Sequence, residues 1–70
     1  MMPLNLAVPG QEQIIRRVGG SPEIRRHLED LGFTVGGTVS LVAVLNGSVI
    51  VKVRESRVAI DEGMARRIMV

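Results

Sequence analysis

Cysteine is absent from this 70-residue chain, and Phe33 is its only aromatic residue. The lack of cysteine excludes disulfide bonds and thiolate metal sites, and it fits a reducing compartment. Long hydrophobic runs are also lacking, since the longest strictly apolar run, Leu41 to Leu45, is far too short to cross a bilayer. The first residues, Met1 to Leu4, have neither the basic start nor the apolar core of a signal peptide. We therefore expect a cytoplasmic protein that does not insert into a membrane.

Recognisable catalytic motifs are lacking as well. His27 is the only histidine, and neither a cysteine nor a G-x-S-x-G nucleophile motif accompanies it. The glycine pairs Gly19-Gly20 and Gly36-Gly37 match no phosphate-binding spacing. One histidine cannot build a metal site alone, so a metal held across a contact between molecules by His27 with Glu29 or Asp30 would be incidental. We expect no enzyme, no catalytic residue, no resident metal and no cofactor.

The shortage of aromatic residues also restricts the binding partners. Small barrels that bind nucleic acid usually stack bases on exposed aromatic side chains, and proline-rich peptides need an aromatic-lined groove. The net charge is only +2, and the arginines form three separated pairs rather than one stripe. Those pairs are Arg16-Arg17, Arg25-Arg26 and Arg66-Arg67. We therefore expect no nucleic-acid partner.

One helix, at about residues 22–31, organises the rest of the chain. Ser21 can cap its N-terminus, and Pro22 suits the first helical position because its missing N–H is not needed there. Gly32 can adopt the left-handed conformation that ends a helix, which would fold Phe33 back onto Leu28. The apolar stripe of this helix consists of Ile24, Leu28 and Leu31. We expect the Phe33 side chain to fill the interior of a small β-barrel.

The strongest local signal lies between Thr38 and Arg54, where two β-branched runs flank Asn46-Gly47. This dipeptide favours a two-residue type I′ hairpin turn, which sets the register of both strands. One face, expected to point into the core, then contains the pairs Val44–Val49, Val42–Val51 and Ser40–Val53. The other, solvated face contains Leu45–Ser48, Ala43–Ile50, Leu41–Lys52 and Val39–Arg54. Because Val39 and Leu41 are apolar, a bulge that re-aims this strand is plausible.

The remaining segments complete a mainly β fold. We expect a first strand at Gln13–Val18, a tight reversal at Glu55-Ser56, a strand at Arg57–Ile60 and a last strand at Ile68–Val70. Asp61 can cap a short helical turn near 61–66. About five short strands with one helix between strands 1 and 2 suit a small SH3-like barrel in which the two chain ends pair. Residues 1–70 are expected to form one such domain.

Two surfaces are candidates for partner binding. The first is the charged face of the helix, where Arg25 and Arg26 lie four residues before Glu29 and Asp30, so that exposed ion pairs can form. The second is Ile50, with Leu41 and Val39, on the outer face of the sheet. A solvated helix face and a sheet face covered by the N-terminal segment 4–8 are the alternatives without a partner.

The chain resembles the FeoA (ferrous iron transport protein A) family along essentially its whole length. The resemblance lies in the spacing of Leu4, Ala7 and Gly10, and above all in the block Leu28 to Gly36 together with Arg57 to Ile60. The valine strand Val49 to Arg54 and the ending Ala65 to Val70 agree. The chain departs from the family at the hairpin tip Leu45 to Ser48, which is longer in many members.

The resemblance implies an SH3-like accessory protein of bacterial ferrous iron uptake. Its partner would be the large membrane permease of that system, which has a cytoplasmic GTP-binding domain. The same fold resembles the C-terminal domain of iron-dependent transcriptional repressors, so the alternative is a regulatory module that binds a transcription factor or its own kind. A weak homodimer through an exposed edge strand is compatible with both.

Overall fold

A computed structural model describes all residues 1–70, and it contains six strands, two helices and one 3-10 turn. In chain order these are the 3-10 turn Leu4–Leu6, β1 Glu12–Ile14, β2 Arg17–Val18, α1 Pro22–Asp30, β3 Thr38–Leu45, β4 Ser48–Val53, β5 Ser56–Asp61, α2 Glu62–Ala65 and β6 Ile68–Met69. The mainly β, SH3-like architecture is confirmed. Neither helix has the length and apolar character needed to cross a membrane.

The strands form a four-stranded sheet in the order β1-β3-β4-β5 and a two-stranded sheet of β2 and β6. The predicted first strand is split between these sheets, which is why six strands are found rather than about five. The split lies at Ile15, whose side chain is fully buried. The Ile15 N–H donates to the Gly37 carbonyl and its carbonyl accepts from the Gly36 N–H, both at 2.8 Å. These bonds hold the corner at which the chain passes from one sheet to the other.

Helix α1 begins and ends as its sequence predicts. The Ser21 hydroxyl accepts a hydrogen bond from the Ile24 N–H at 3.3 Å, and Pro22 is the first helical residue. At the other end Gly32 is left-handed, with φ of 109°, and the Phe33 N–H donates to the Leu28 carbonyl at 2.9 Å. A second bond joins the Gly32 N–H to the Glu29 carbonyl, which completes a Schellman motif.

The hairpin of β3 and β4 follows its predicted register only near the turn. Asn46 and Gly47 both have positive φ, and the pairs Val44–Val49, Leu45–Ser48 and Ala43–Ile50 are confirmed. A bulge at Val42 then shifts β3 by one residue, so that the predicted pairs beyond it are wrong and Leu41 lies opposite Val51. The shift turns Val39 and Leu41 into the core, where only 1% and 2% of their surface is exposed. Removing these apolar side chains from water favours the bulged register.

Two other hairpin predictions need correction. Val44 was expected to face the core but is 46% exposed, in the part of β3 that has no neighbouring strand on its other side. The reversal after β4 consists of Arg54 and Glu55, not of Glu55 and Ser56, and both residues have positive φ.

The core is one cluster of fourteen buried apolar residues with Phe33 as its largest fully buried side chain. Leu4 and Ala7 bring the N-terminal segment into it, and Ile68 and Val70 bring the C-terminal segment. Backbone bonds from Met2 N–H to the Val70 carbonyl (2.9 Å) and back (2.8 Å) close the barrel. The predicted pairing of the two chain ends is therefore confirmed.

Candidate partner-binding surfaces

The charged face of α1 is exposed to solvent. Arg25, Arg26, Glu29 and Asp30 are all exposed, while Leu28, on the opposite side of the helix, is completely buried. The cap at Ser21 and the stop at Gly32 fix where the helix begins and ends, and the apolar stripe fixes its rotation. Local sequence signals therefore orient these four charges.

The ion pairs expected within this face are not formed. No nitrogen of Arg25 or Arg26 lies within 4.0 Å of a Glu29 or Asp30 oxygen, and the only ion pair in the chain is Arg66–Glu62 at 2.9 Å. Exposed pairs on a helix contribute only a few tenths of a kcal/mol, about 0.2–0.5, so little holds them together. All four charged groups are thus free to pair with a partner.

Ile50 lies on the outer face of the four-stranded sheet, between Ala43 of β3 and Ala59 of β5. It is partly buried, and it is not among the side chains that pack against the core. Val39 and Leu41, which were expected beside it, are core residues, so the apolar patch consists of Ala43, Ile50 and Ala59. The N-terminal segment joins the same core as Val39 and Leu41 through Leu4 and Ala7.

A cleft of about 310 Å³ between α1 and β5 was not found by sequence reasoning. Its apolar lining consists of Leu28 of α1, Leu31 at the C-cap of that helix, Val58 and Ile60 of β5, and Met64 of α2. His27 and Asp61 also line it. The alternation of β5 predicts an inner face for Val58 and Ile60, but the sequence does not show that residues of α1 line the same cleft.

A second missed feature is a polar groove of about 440 Å³ at the other end of the sheet. Its charged residues are Glu12 of β1, Lys52 of β4, and Arg54 and Glu55 of the following turn. Glu12 pairs with Ser40, which pairs with Lys52, so sheet pairing brings together residues forty positions apart. The bulge at Val42 sets this register, which is why the uncorrected hairpin pattern could not predict the groove.

The candidate surfaces carry charged and apolar side chains. No group of three or more His, Asp or Glu side chains is close enough together to hold a metal ion. His27 is exposed and has no hydrogen-bond partner among the side chains around it. The fold and its surfaces define a small SH3-like barrel with a charged helix face, an apolar sheet patch and a cleft at one sheet edge.

The chain belongs to the FeoA family, because the model of the FeoA domain matches residues 2–70. A curated protein of Methanocaldococcus jannaschii, described as a candidate Fe(2+) transport protein A, is 31% identical over 70 residues. That alignment covers 100% of this chain and 85% of the relative. The family takes part in Fe(2+) transport as accessory proteins and is not known for enzymes.

Solved structures agree with this assignment. The crystal structure of an iron uptake regulatory protein (FeoA) superposes with a TM-score of 0.89 at 31% identity, covering 99% of this chain and 93% of that one. Iron(II) transport protein A from Clostridium thermocellum gives 0.89 at 26% identity, covering 97% and 43%. ScaR with bound Zn2+ gives 0.84 at 20% identity, covering 97% and 35%, which shows a shared fold alone.

Proposed function

We propose that this chain is a non-enzymatic interaction module of ferrous iron uptake that acts in the cytoplasm on the GTP-binding membrane permease of the system. Residues 1–70 act as one domain in this proposal. The observation that carries it is the family match over residues 2–70. The role of a binding module, rather than a carrier of iron, agrees with surfaces that offer charges and apolar contacts but no cluster of metal ligands.

The proposed contact is made by the exposed face of α1 together with the apolar patch at Ile50. Four unpaired charges of both signs on a rigid helix favour recognition of a surface with complementary charges, since such pairs mainly steer and orient a partner. A partner that contacts Ile50 would also remove apolar surface from water, which adds binding free energy. No membrane insertion and no nucleic acid are part of the proposal.

Charge reversal at Arg26 tests the contact in cells. Arg26→Glu is expected to lower Fe(2+) uptake in a strain whose own copy of the gene is deleted, because it presents an acidic group where the partner meets a basic one. Uptake of labelled iron measures the effect, and immunoblotting of the cell extract checks that the variant is expressed. The circular dichroism spectrum and the unfolding temperature of the purified variant should stay unchanged, because Arg26 is exposed and has no ion-pair partner.

Arg16→Glu is the matched control, because Arg16 is also exposed but lies at the corner between β1 and β2. It changes the net charge by the same amount and should leave uptake unchanged. Equal uptake by the wild type and a folded, normally expressed Arg26→Glu variant would remove the helix face from the proposal.

A regulatory role is the second candidate, in which the module binds a transcription factor or its own kind. It is favoured by the description of a solved relative as an iron uptake regulatory protein. Deleting the gene would then change transcription of the uptake genes under constant iron, whereas a transport accessory changes iron uptake when expression of the permease is held constant from an independent promoter.

A further inference from the structure

We propose that this protein forms a symmetric dimer by antiparallel pairing of its edge strand β5 with β5 of a second copy, centred on Ala59. Strand β5 is the last strand of the four-stranded sheet and has a neighbour, β4, on one side only. An edge strand with free backbone groups is a template for another strand. Three observations on this edge point to a second copy as the occupant.

The first observation is the orientation of the free backbone groups. Val53 and Ser56 flank the two-residue turn and form a hydrogen-bonded pair, so β5 residues at every second position from Ser56 bond to β4. The N–H and C=O groups of Arg57 and Ala59 and the N–H of Asp61 therefore point away from β4, out of the sheet, whereas the Asp61 carbonyl belongs to the N-cap of α2. Pairing of Ala59 with the same residue of a second copy places these free groups in bonding positions on both chains.

The second observation is the charge pattern. In an antiparallel pair centred on Ala59, Arg57 of one copy lies opposite Asp61 of the other, and the reverse pair forms on the far side of the symmetry axis. Both side chains are exposed, and neither belongs to an ion pair within its own chain. Charged side chains on an edge strand commonly prevent it from pairing with another strand. Here Arg57 and Asp61 have opposite charges and each lies two residues from Ala59, so pairing with a second copy brings opposite charges together.

The third observation is the apolar surface on both sides of this edge. On the inner side, Val58 would lie opposite Ile60 of the second copy, directly beside the cleft between α1 and β5. On the outer side, the row Ala43–Ile50–Ala59 would continue into the same row of the second copy. The exposed end of β3 also has an open edge, but Val42 to Leu45 carry no charge that would select a register.

Sedimentation equilibrium over a concentration series tests the proposal. The weight-average mass is expected to rise from 7.6 kDa toward twice that value as the concentration increases. Arg57→Asp and Asp61→Arg each place like charges opposite one another at both positions, and each should weaken association roughly tenfold or more. An equimolar mixture of the two variants restores opposite charges at both positions and should regain association as a heterodimer.

Two further variants separate pairing from folding. Asp61 also caps α2, since its Oδ1 accepts from the Met64 N–H at 2.7 Å, so Asp61→Arg removes a cap as well as a charge. Asp61→Asn keeps an oxygen for the cap and should weaken association less than Asp61→Arg does. Arg16→Asp reverses a charge far along the chain from β5 and should leave the association constant unchanged.

Amide hydrogen exchange gives a second readout of the same dimer. The amides of Arg57, Ala59 and Asp61 should exchange more slowly as the concentration rises, while those of the β3 edge should not change. A constant monomer mass at every soluble concentration would overturn the proposal. So would association that is insensitive to Arg57→Asp, or a mixture of the two charge variants that stays monomeric.

Discussion

At the scale of single residues, Gly32 has two roles: it ends α1, and it lies in close contact with the end of β4. Its φ of 109° completes the stop of α1. A Cβ at this position would lie 3.2 Å from Arg54 Cδ and 3.4 Å from Val53 Cγ2. The left-handed conformation was predictable from the residues around it, but the close approach of the β4 end was not, because it depends on packing between distant segments.

Gly32→Ala is expected to lower the free energy of unfolding by more than the conformational cost alone, which is about 1–2 kcal/mol for an L-residue in a left-handed conformation. The additional loss comes from the contact with Arg54 and Val53. Chemical denaturation at constant pH measures it. Gly36→Ala is the matched control, since Gly36 has a φ of 89° but no atom within 4 Å of a Cβ. Equal losses for the two variants would contradict the contribution of the contact.

For the candidate partner-binding residues, too, the sequence predicted some properties and not others. The positions of Arg25, Arg26, Glu29 and Asp30 on one exposed face followed from the helical period, and that expectation is confirmed. Their pairing with one another was predicted from spacing and is not found, because spacing decides only which charges can meet. Ile50 lies on the outer face as expected, whereas its predicted neighbours Val39 and Leu41 lie in the core.

At the scale of elements, the two hairpin turns differ in how well their residues suit their conformation. Asn46-Gly47 connects β3 to β4 with the residues that a type I′ turn prefers. Arg54 and Glu55 connect β4 to β5 with φ of 49° and 63°, a conformation that neither residue favours. This is why sequence reasoning located the first turn correctly and misplaced the second by one residue.

Glu55→Gly is expected to raise the free energy of unfolding by about 1 kcal/mol, because glycine adopts a positive φ without the steric cost. The midpoint of thermal or chemical unfolding measures the gain. Ser56→Gly, one residue further along in the extended strand, should instead lower stability by about 0.5–1 kcal/mol. A loss of stability in Glu55→Gly would show that the left-handed turn is held by contacts of the Glu55 side chain.

The elements also show which boundaries a single sequence can set. The cap at Ser21 and the stop at Gly32 are local, so α1 was placed to within a residue. The bulge at Val42 and the corner at Ile15 are decided by which apolar side chains reach the common core, and this depends on the whole fold. The sequence allowed a bulge in β3 but could not say that it lies at Val42.

At the scale of the whole molecule, chain closure determines the surfaces that a partner can reach. Leu4 and Ala7 join the core from one end of the chain and Ile68 and Val70 from the other. The barrel in turn brings residues of α1 and β5 together as the lining of one cleft. The fold class was predictable from strand number and turn signals, but the cleft and the polar groove were not, since each joins segments that are distant in the chain.

In the proposed complex the helix face and the sheet patch bind the permease. This contact is tested most directly by titrating isotope-labelled protein with the GTP-binding domain of that permease, with and without nucleotide, and following the amide NMR signals. The signals that shift are expected to cluster at Arg25, Arg26, Glu29, Asp30 and Ile50, and the Arg26→Glu variant is expected to respond more weakly. Unchanged spectra up to the highest soluble concentration, or shifts confined to surfaces away from α1 and Ile50, would contradict it.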